Sequence, residues 1–349
     1  MSLTTLTKVL RAAEQGGYAV GAFNVSDLNQ AIAVLDAASA LSSPVIVQVL
    51  ARVGAYRDEG RWWDALRRMI EAYPEVTAVL HLDHGQTYSD CLRAVEHGFT
   101  SVMIDASRDV HGAPNDFSSN VHLTGQVCGY AHAHAVDVEG ELGTVGGAEG
   151  AWRRNEADMV YANPDQAEEF ARRTGVDALA VAVGTSHGAV KFTSPEAGQR
   201  LRLEVIRQIK SRLPDTFLVL HGSSSIPAHA IAAINRAGGQ VEPSFGIDAE
   251  QKRLAIEGGI RKINQGTDSH LVWTAALRTY LSLHPSEVEP SGPVGAAMEA
   301  MTRIVGDRMA EFGSAGQARR PQDNYERSRP SGTATTCDNS STTPDWSRK

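Results

Sequence analysis

Short apolar segments alternate with longer amphipathic ones about eight times along this chain of 349 residues. The short segments are Tyr18–Asn24, Pro44–Val49, Thr77–Asp83, Thr100–Asp105, Val136–Glu141, Ala178–Gly184, Phe217–His221 and Gly259–Asn264. Each is rich in Val, Ile, Leu or Ala and apolar throughout, as parallel strands covered on both faces are. Helical patterns fall between them. Ser26 is the expected N-cap of the first, which sets Leu28, Ala31, Ile32 and Leu35 on one face. Others are Trp62–Ala72, Ser89–His97, Ser119–His132, Pro164–Thr174, Pro195–Arg212, Pro227–Ala237, Ala249–Glu257 and Ser269–Leu283. This alternation predicts an α/β fold, a single (β/α)8 TIM barrel. A doubly wound open sheet is the competing topology, but no GxGxxG or GxxxxGK[ST] phosphate loop supports it.

Two regions stand outside the repeat. Pro293–Phe312 reads as an extra C-terminal helix packed outside the barrel. From Gln317 the composition turns to Arg, Ser, Thr, Pro, Asp and Asn, so the expected division is a barrel over 1–316 and a disordered polar tail over 317–349. The N-terminal stretch reads as an amphipathic helix ending at glycine, without the apolar core of a signal peptide, and no run is long enough for a transmembrane helix. A cytoplasmic location is expected. Lys and Arg number 33 against 41 Asp and Glu, a net charge of −8, which gives no general attraction for nucleic acid or an anionic membrane. Three cysteines, Cys91, Cys128 and Cys337, without a CxxC pair exclude a disulfide scaffold and a Cys-rich zinc module.

A barrel places its site at the C-terminal ends of its strands. The predicted strands end on Asn24, on Asp83 and His84, on Asp105, on Glu139 and Glu141, on His221 and on Asn264, and the sixth leads to His187. Together these form a ring of carboxylates and imidazoles. Three histidines and a carboxylate from different strands suit Zn²⁺, although any one strand-end histidine is equally a hydrogen-bonded core or cap group. His132 and His134 flank the fifth strand and read as structural. Glycine-bearing turns follow the sixth and seventh strands, at Gly184–Phe192 and His221–Pro227. Their backbone N–H groups, with Ser224 and Lys191, could hold an anion; the same composition also marks ordinary loops.

These residues lie in longer motifs: GAFNV from Gly21, HLDHG from His81, HGFTSVMIDAS from His97, VEGELG from Val138, VDALAVAVGTSHGAVKF from Val176, LVLHGSSSIP from Leu218, GIRKIN from Gly259 and FGSAGQA from Phe312. Over Leu3 to about Ala318 the chain resembles class II, zinc-dependent fructose-bisphosphate aldolases, particularly the Calvin-type subgroup. The resemblance implies reversible aldol cleavage with dihydroxyacetone phosphate as donor, through a zinc-stabilised enediolate. It implies His84, His187 and His221 as zinc ligands and Glu141 at an alternative metal position; Asp105 and Glu139 of the strand-end ring stand beside them as supporting or second-metal residues. Asp83 matches the acid/base at the alcohol, and Glu149 the carboxylate that moves the proton at the donor carbon. Gly188, Gly222, Ser224 and Thr267 match the phosphate cradle and Asn264 the residue that contacts the substrate; Asn24 and Lys191, read from strand end and turn, are further substrate-binding candidates. A monovalent cation, Na⁺ or K⁺, and a homo-oligomer, dimer or tetramer, are further family features. Gly143, Gly146, Gly147 and Gly150 suggest that Glu149 rides on a closing loop.

The departures cluster. Leu50 and Ala51 stand where the family has a serine–arginine pair. Gly266 replaces an aspartate and His270 an arginine, and the segment after Gly147 is shortened. In the family these positions serve the acceptor, and the arginine clamps its distal phosphate across a subunit interface. A mostly neutral imidazole lacks the guanidinium's bidentate grip. The altered half-site implies a divergent aldolase of a specialised pathway whose acceptor aldehyde is less polar or unphosphorylated. In the competing reading Arg153 or Arg154 replaces the clamp and the enzyme cleaves fructose 1,6-bisphosphate. A third reading, from another class, is a catalytically inactive metal-binding barrel with a structural or regulatory role.

Overall fold

The structure is a computed structural model and describes residues 2–51, 56–109, 113–143, 146–149, 152–154, 160–187 and 201–318. By its contacts the chain divides into Met1–Ala318 and Arg319–Lys349. The expected tail from 319 onward, with Cys337, lies outside the described residues, as do Gly188 and Lys191.

Eight parallel strands close a barrel: β1 Val20–Asn24, β2 Val45–Leu50, β3 Ala78–Gly85, β4 Ser101–Ile104, β5 Asp137–Leu142, β8 Ala178–Val181, β10 Phe217–Leu220 and β11 Ile260–Gln265. Their order around the barrel is β1, β11, β10, β8, β5, β4, β3, β2. The single barrel is therefore the fold. Three short strands rise separately: β6 Gly146–Glu149 pairs antiparallel with β7 Trp152–Arg154 and parallel with β9 Ser186–His187. The segment around Glu149, expected as a loop, is thus half of a hairpin. Four residues rich in glycine carry no alternating apolar pattern, so nothing local in the sequence marks them as a strand.

The strands look apolar throughout because two sets of residues interleave along them. Ala19, Phe23, Val45, Val47, Leu80, Leu82, Leu218 and Leu220 face outward into the layer shared with the helices. Val20, Ala22, Ile46, Val79, Met103, Ala180 and Val219 face inward and fill the lower barrel. That inner cluster continues into α1 (Leu6–Gly16) through Leu6, Val9, Leu10 and Ala13, so α1 stoppers the N-terminal end. Two positions further along β1, β2, β3, β4 and β10 the inward residue becomes polar, at Asn24, Gln48, His81, Asp105 and His221, which raises the site on an apolar plug.

The covering helices are α2 Leu28–Leu41, α3 Glu59–Glu71, α4 Tyr88–Glu96, α5 Phe117–Ala133, α6 Pro164–Thr174, α7 Leu203–Arg212, α8 Ala228–Arg236, α9 Ala249–Glu257, α10 Thr267–Leu283 and α11 Ser291–Glu311. Asp27 caps α2, its carboxylate accepting from the N–H groups of Asn29 and Gln30. It displaces the expected Ser26, whose own N–H donates to Gln30 Oε1. Cap choice turns on backbone geometry, which neighbouring Ser and Asp residues do not reveal in sequence. α7 begins at Leu203, later than expected, with residues 195–200 outside the description. The extra helix α11 packs on α2 and α10 and buries Ala297, Met301, Val305 and Met309. Beyond it, Gly316 and Ala318 donate backbone hydrogen bonds to Leu41 and Ser42. Among the described residues no helix is long and apolar enough to cross a membrane.

Candidate active site

The C-terminal rim gathers most of the strand-end residues singled out by sequence. Its centre is Asp83, fully buried, with three side-chain amides aimed at its carboxylate. Asn24 Nδ2 donates to Oδ2 at 2.8 Å, Gln48 Nε2 to Oδ2 at 3.1 Å, and Asn264 Nδ2 to Oδ1 at 3.1 Å. Gln48 Nε2 also donates to Asn24 Oδ1 at 2.9 Å. An arrangement with three N–H donors fixes the orientation of the carboxylate.

His84 follows directly in sequence, yet its ring turns into the same interior. Regular strand alternation would send it outward. The register of β3 against β4 shifts between Leu82 and Gly85, and His84 has φ +46°. This is a bulge with one residue in the left-handed region, a conformation that costs of order 1–3 kcal/mol outside glycine and clusters at functional sites. It brings two adjacent polar side chains to one centre. His84 Nε2 lies 3.0 Å from His221 Nδ1 and 4.0 Å from Asp83 Oδ1, while His84 Nδ1 lies 3.1 Å from Asp105 Oδ2 and 3.5 Å from Glu141 Oε2.

Two overlapping groups could hold a metal ion. Ligand atoms of Asp83, His84 and His221 lie within 4.8 Å of one another, as do those of His84, Asp105 and Glu141. All five residues are buried. Imidazole nitrogens with carboxylate oxygens suit zinc and other borderline divalent ions. The donor set and spacing therefore fit a metal, and His84 belongs to both groups. The third expected histidine, His187, ends β9, whose backbone pairs with Gly147 of β6. β9 also touches the turn after β10, since a Cβ on Gly222 would lie 2.8 Å from the Ser186 backbone. Gly222 has φ +60°, so glycine is needed there twice over. The His187 and Glu149 side chains lie outside the description.

One level deeper sits a second polar layer, built around Glu139 and completed by Lys262 and His81, which a strand-end reading passes over. Glu139 Oε1 lies 2.7 Å from His221 Nε2, and Lys262 Nζ is 2.9 Å from Glu139 Oε2. Lys262 also donates to Asn264 Oδ1 at 2.7 Å. His81 Nδ1 meets Ser101 Oγ at 2.9 Å. Burial alone would raise the Glu139 carboxyl, but the Lys262 ammonium and His221 outweigh it and hold the carboxyl well below its usual range. Burial, reinforced by Lys262, pushes His81 well below the ordinary histidine value and keeps it neutral. Glu139 thus orients His221 so that Nδ1 faces His84, the role that carboxylates play behind histidine ligands. Gln48, His81 and Lys262 do have a signal in the sequence. Each is a polar residue two or more places before a strand end, on the inward face of its strand.

The turns after β10 and β11 interlock. Ser223 Oγ donates to the Asn264 carbonyl at 3.0 Å, and the Gly266 N–H donates to Ser224 Oγ at 3.2 Å. Thr267 opens α10 beside them. The divergent residues straddle β1: Leu50 ends β2 on one side, while Gly266 and His270 follow β11 on the other. Leu50 pairs with Asp83 in the β2–β3 register and is half-buried. A Cβ on Gly266 would sit 2.9 Å from Asn24 Oδ1, so the Asn24 amide fills the space a longer residue would claim. His270 turns toward the Asn24 backbone carbonyl, and burial lowers its imidazole despite that hydrogen bond. Its Nε2 is buried and has no hydrogen-bond partner among the described residues.

Residues 4–317 match the family described as class-II fructose-bisphosphate aldolase. A fructose-bisphosphate aldolase of Pseudomonas aeruginosa is 40% identical over 329 residues, covering 91% of this chain and 93% of that protein. The plasmid fructose-bisphosphate aldolase of Cupriavidus necator is 40% identical, covering 91% and 95%. Among solved structures, the YdjI aldolase from Escherichia coli K12 is similar with a TM-score of 0.71 at 26% identity, covering 91% of this chain and 100% of that one. A family match across nearly the whole barrel, with a metal-competent histidine–carboxylate rim at its mouth, makes this chain a member of the class II fructose-bisphosphate aldolase family, a family of carbon–carbon lyases.

Proposed function

We propose that this chain catalyses reversible aldol cleavage and condensation with dihydroxyacetone phosphate as the donor, using a zinc ion held by His84, His187 and His221. Fructose 1,6-bisphosphate, the substrate in the names of its relatives, is the first compound to test. The observation that carries the reading is the bulge at Asp83–His84, which puts an amide-held carboxylate beside a metal-competent imidazole. Glu141 and Asp105 offer the ion a second position around the same His84. A bound divalent ion supplies Lewis acidity to the oxygens of the donor.

The remaining steps belong to the protein. Asp83 takes the proton from the alcohol whose carbon–carbon bond breaks and returns it in condensation. Asn24, Gln48 and Asn264 hold and aim its carboxylate. Glu149, carried by β6, moves the proton at the donor carbon. Gly222, Ser224 and Thr267, with Gly188 and Lys191, cradle the donor phosphate through backbone N–H groups, hydroxyls and the start of α10. A monovalent cation completes that cradle.

Removal of the metal tests this reading directly. Dialysis against a chelator is expected to abolish cleavage of fructose 1,6-bisphosphate and the exchange of a dihydroxyacetone phosphate proton with solvent, and added zinc to restore both. Full activity in metal-free protein would refute it.

The acceptor is a second reading, favoured by three positions. Leu50 gives the rim beside Asp83 an apolar edge, Gly266 contributes no side chain, and the buried His270 imidazole is kept neutral against Asn24. None offers a cation to a distal phosphate. Arg153 and Arg154 lie on β7, their side chains outside the description. The enzyme is expected to condense dihydroxyacetone phosphate with unphosphorylated aldehydes at a kcat/KM at least about tenfold above that for glyceraldehyde 3-phosphate, the scale of a lost charge-assisted contact. Efficient turnover of the bisphosphate at low KM would overturn this reading and leave the metal-dependent reaction intact.

A further inference from the structure

α11 lies outside the eightfold repeat, yet its last turn reaches behind both turns assigned to the donor phosphate. Glu311 Oε1 lies 2.6 Å from Lys252 Nζ. Lys252 belongs to α9 and is 0% exposed, and its Nζ also donates to Ser225 Oγ at 2.7 Å, one residue from Ser224. Arg308 pairs with Glu311, and its Nε lies 3.4 Å from Asp268 Oδ2, one residue from Thr267. A continuous chain of contacts therefore runs from Ser225 through Lys252, Glu311 and Arg308 to Asp268. Its far side is tied down as well. Ser225 Oγ donates to the Ile247 carbonyl at 2.8 Å, and a Cβ on Gly246 would lie 2.2 Å from the Ser224 carbonyl oxygen.

Stability alone gives little reason for such a chain. Burying a lysine and its carboxylate partner costs desolvation that their attraction often fails to recover, and apolar residues of similar volume commonly serve as well. What the charges add is a fixed geometry between two separate turns. Lys252 and Arg308 face Glu311 and Asp268, and each bridges different elements: Lys252 joins α9 and the β10 turn to α11, while Arg308 joins α11 to the first turn of α10.

We propose that Lys252, Glu311 and Arg308 are positioning residues for the donor phosphate, a brace that holds Ser224 and Thr267 in register across two turns. This rests on the donor reading above. The brace acts through Ser225 and Asp268 and presets the cradle before the phosphate arrives, so its loss weakens donor binding and leaves the chemical step alone.

The test uses the zinc-loaded enzyme with dihydroxyacetone phosphate as the varied substrate. Lys252→Met is expected to raise the donor KM about five- to tenfold, with kcat within about twofold and metal content unchanged, the size of one lost hydrogen bond. Lys252→Met with Glu311→Met removes both charges. It should recover the thermal stability lost by the single variant while the donor KM stays raised. Ser225→Ala keeps the ion pair and should raise KM in the same direction, which covers failure of Lys252→Met to fold. A wild-type donor KM in the folded variants, or a KM that recovers with stability in the double variant, overturns the brace. If the wild-type enzyme exchanges no proton on dihydroxyacetone phosphate, the donor reading itself falls, and the brace with it.

Discussion

Asp83→Ala is expected to lower carbon–carbon cleavage by about 10³-fold or more while the purified protein keeps its zinc, within the usual range for loss of a general acid–base group. Asp83 is the point on which Asn24, Gln48 and Asn264 converge, so truncation removes the reacting carboxylate and leaves three buried amides without their shared acceptor. The metal readout makes the experiment discriminating. Asp83 is also within reach of the group formed with His84 and His221. If zinc content falls with activity, Asp83 is a ligand and its assignment as acid/base is wrong. Zinc retained, with activity lost, places the proton on Asp83 and the ion on the histidines. Proton exchange at the donor carbon should survive in this variant, because that step is assigned to Glu149; its loss would merge two roles kept separate here.

The largest effect on stability is expected from Lys262→Met. Lys262 and Glu139 are both 0% exposed, with 2.9 Å between Nζ and Oε2. Removing the cation strands a buried carboxylate, which typically costs about 3–5 kcal/mol. Denaturant unfolding of the metal-free protein should register that loss as a lower midpoint. A midpoint within about 0.5 kcal/mol of wild type would mean that the pair contributes little. Zinc affinity should fall about 10–100-fold as well, because Glu139 orients His221 from behind. The sign of the pH effect follows from Glu139. Its folded-state carboxyl is held below the ordinary value of 4.5, against the opposing push of burial, chiefly by Lys262. A carboxyl lowered by folding contributes stability that is complete above its unfolded value and is lost as pH falls toward its folded one. Without Lys262, burial is left to raise the group, and the acid limb of the stability profile should move to higher pH.

Much of this was visible in the chain itself. Strand and helix positions follow from apolar periodicity, and the observed barrel strands start and stop within three residues of the expected ones, from Val20–Asn24 to Ile260–Gln265. The rim residues Asn24, Asp83, His84, Asp105, Glu141, His221 and Asn264 were legible because a barrel sends its strand ends to one face. Gln48 and Lys262 were within reach of the same logic, had the inward set been separated from the outward one. The cap of α2, by contrast, falls on Asp27 and not on the neighbouring Ser26, and the Glu149 hairpin has no pattern to betray it.

Periodicity is a local property, so the sequence by itself could determine the repeat, the closed parallel sheet and the kinds of side chain at its mouth. It could not determine which of those side chains meet. Asn24 and Asp83 are separated by 59 residues, and Asn264 and Asp83 by 181. Their amides reach one carboxylate only when the barrel closes. No spacing rule turns Asp83 and His84 to the same side, because strand alternation forbids it; the bulge and the left-handed φ of His84 make the exception. Nor did Gly266 reveal that Asn24 fills its missing side chain, or Lys252 that it lies buried between Ser225 and Glu311. Those facts belong to packing, where the partner is chosen by what the fold brings near.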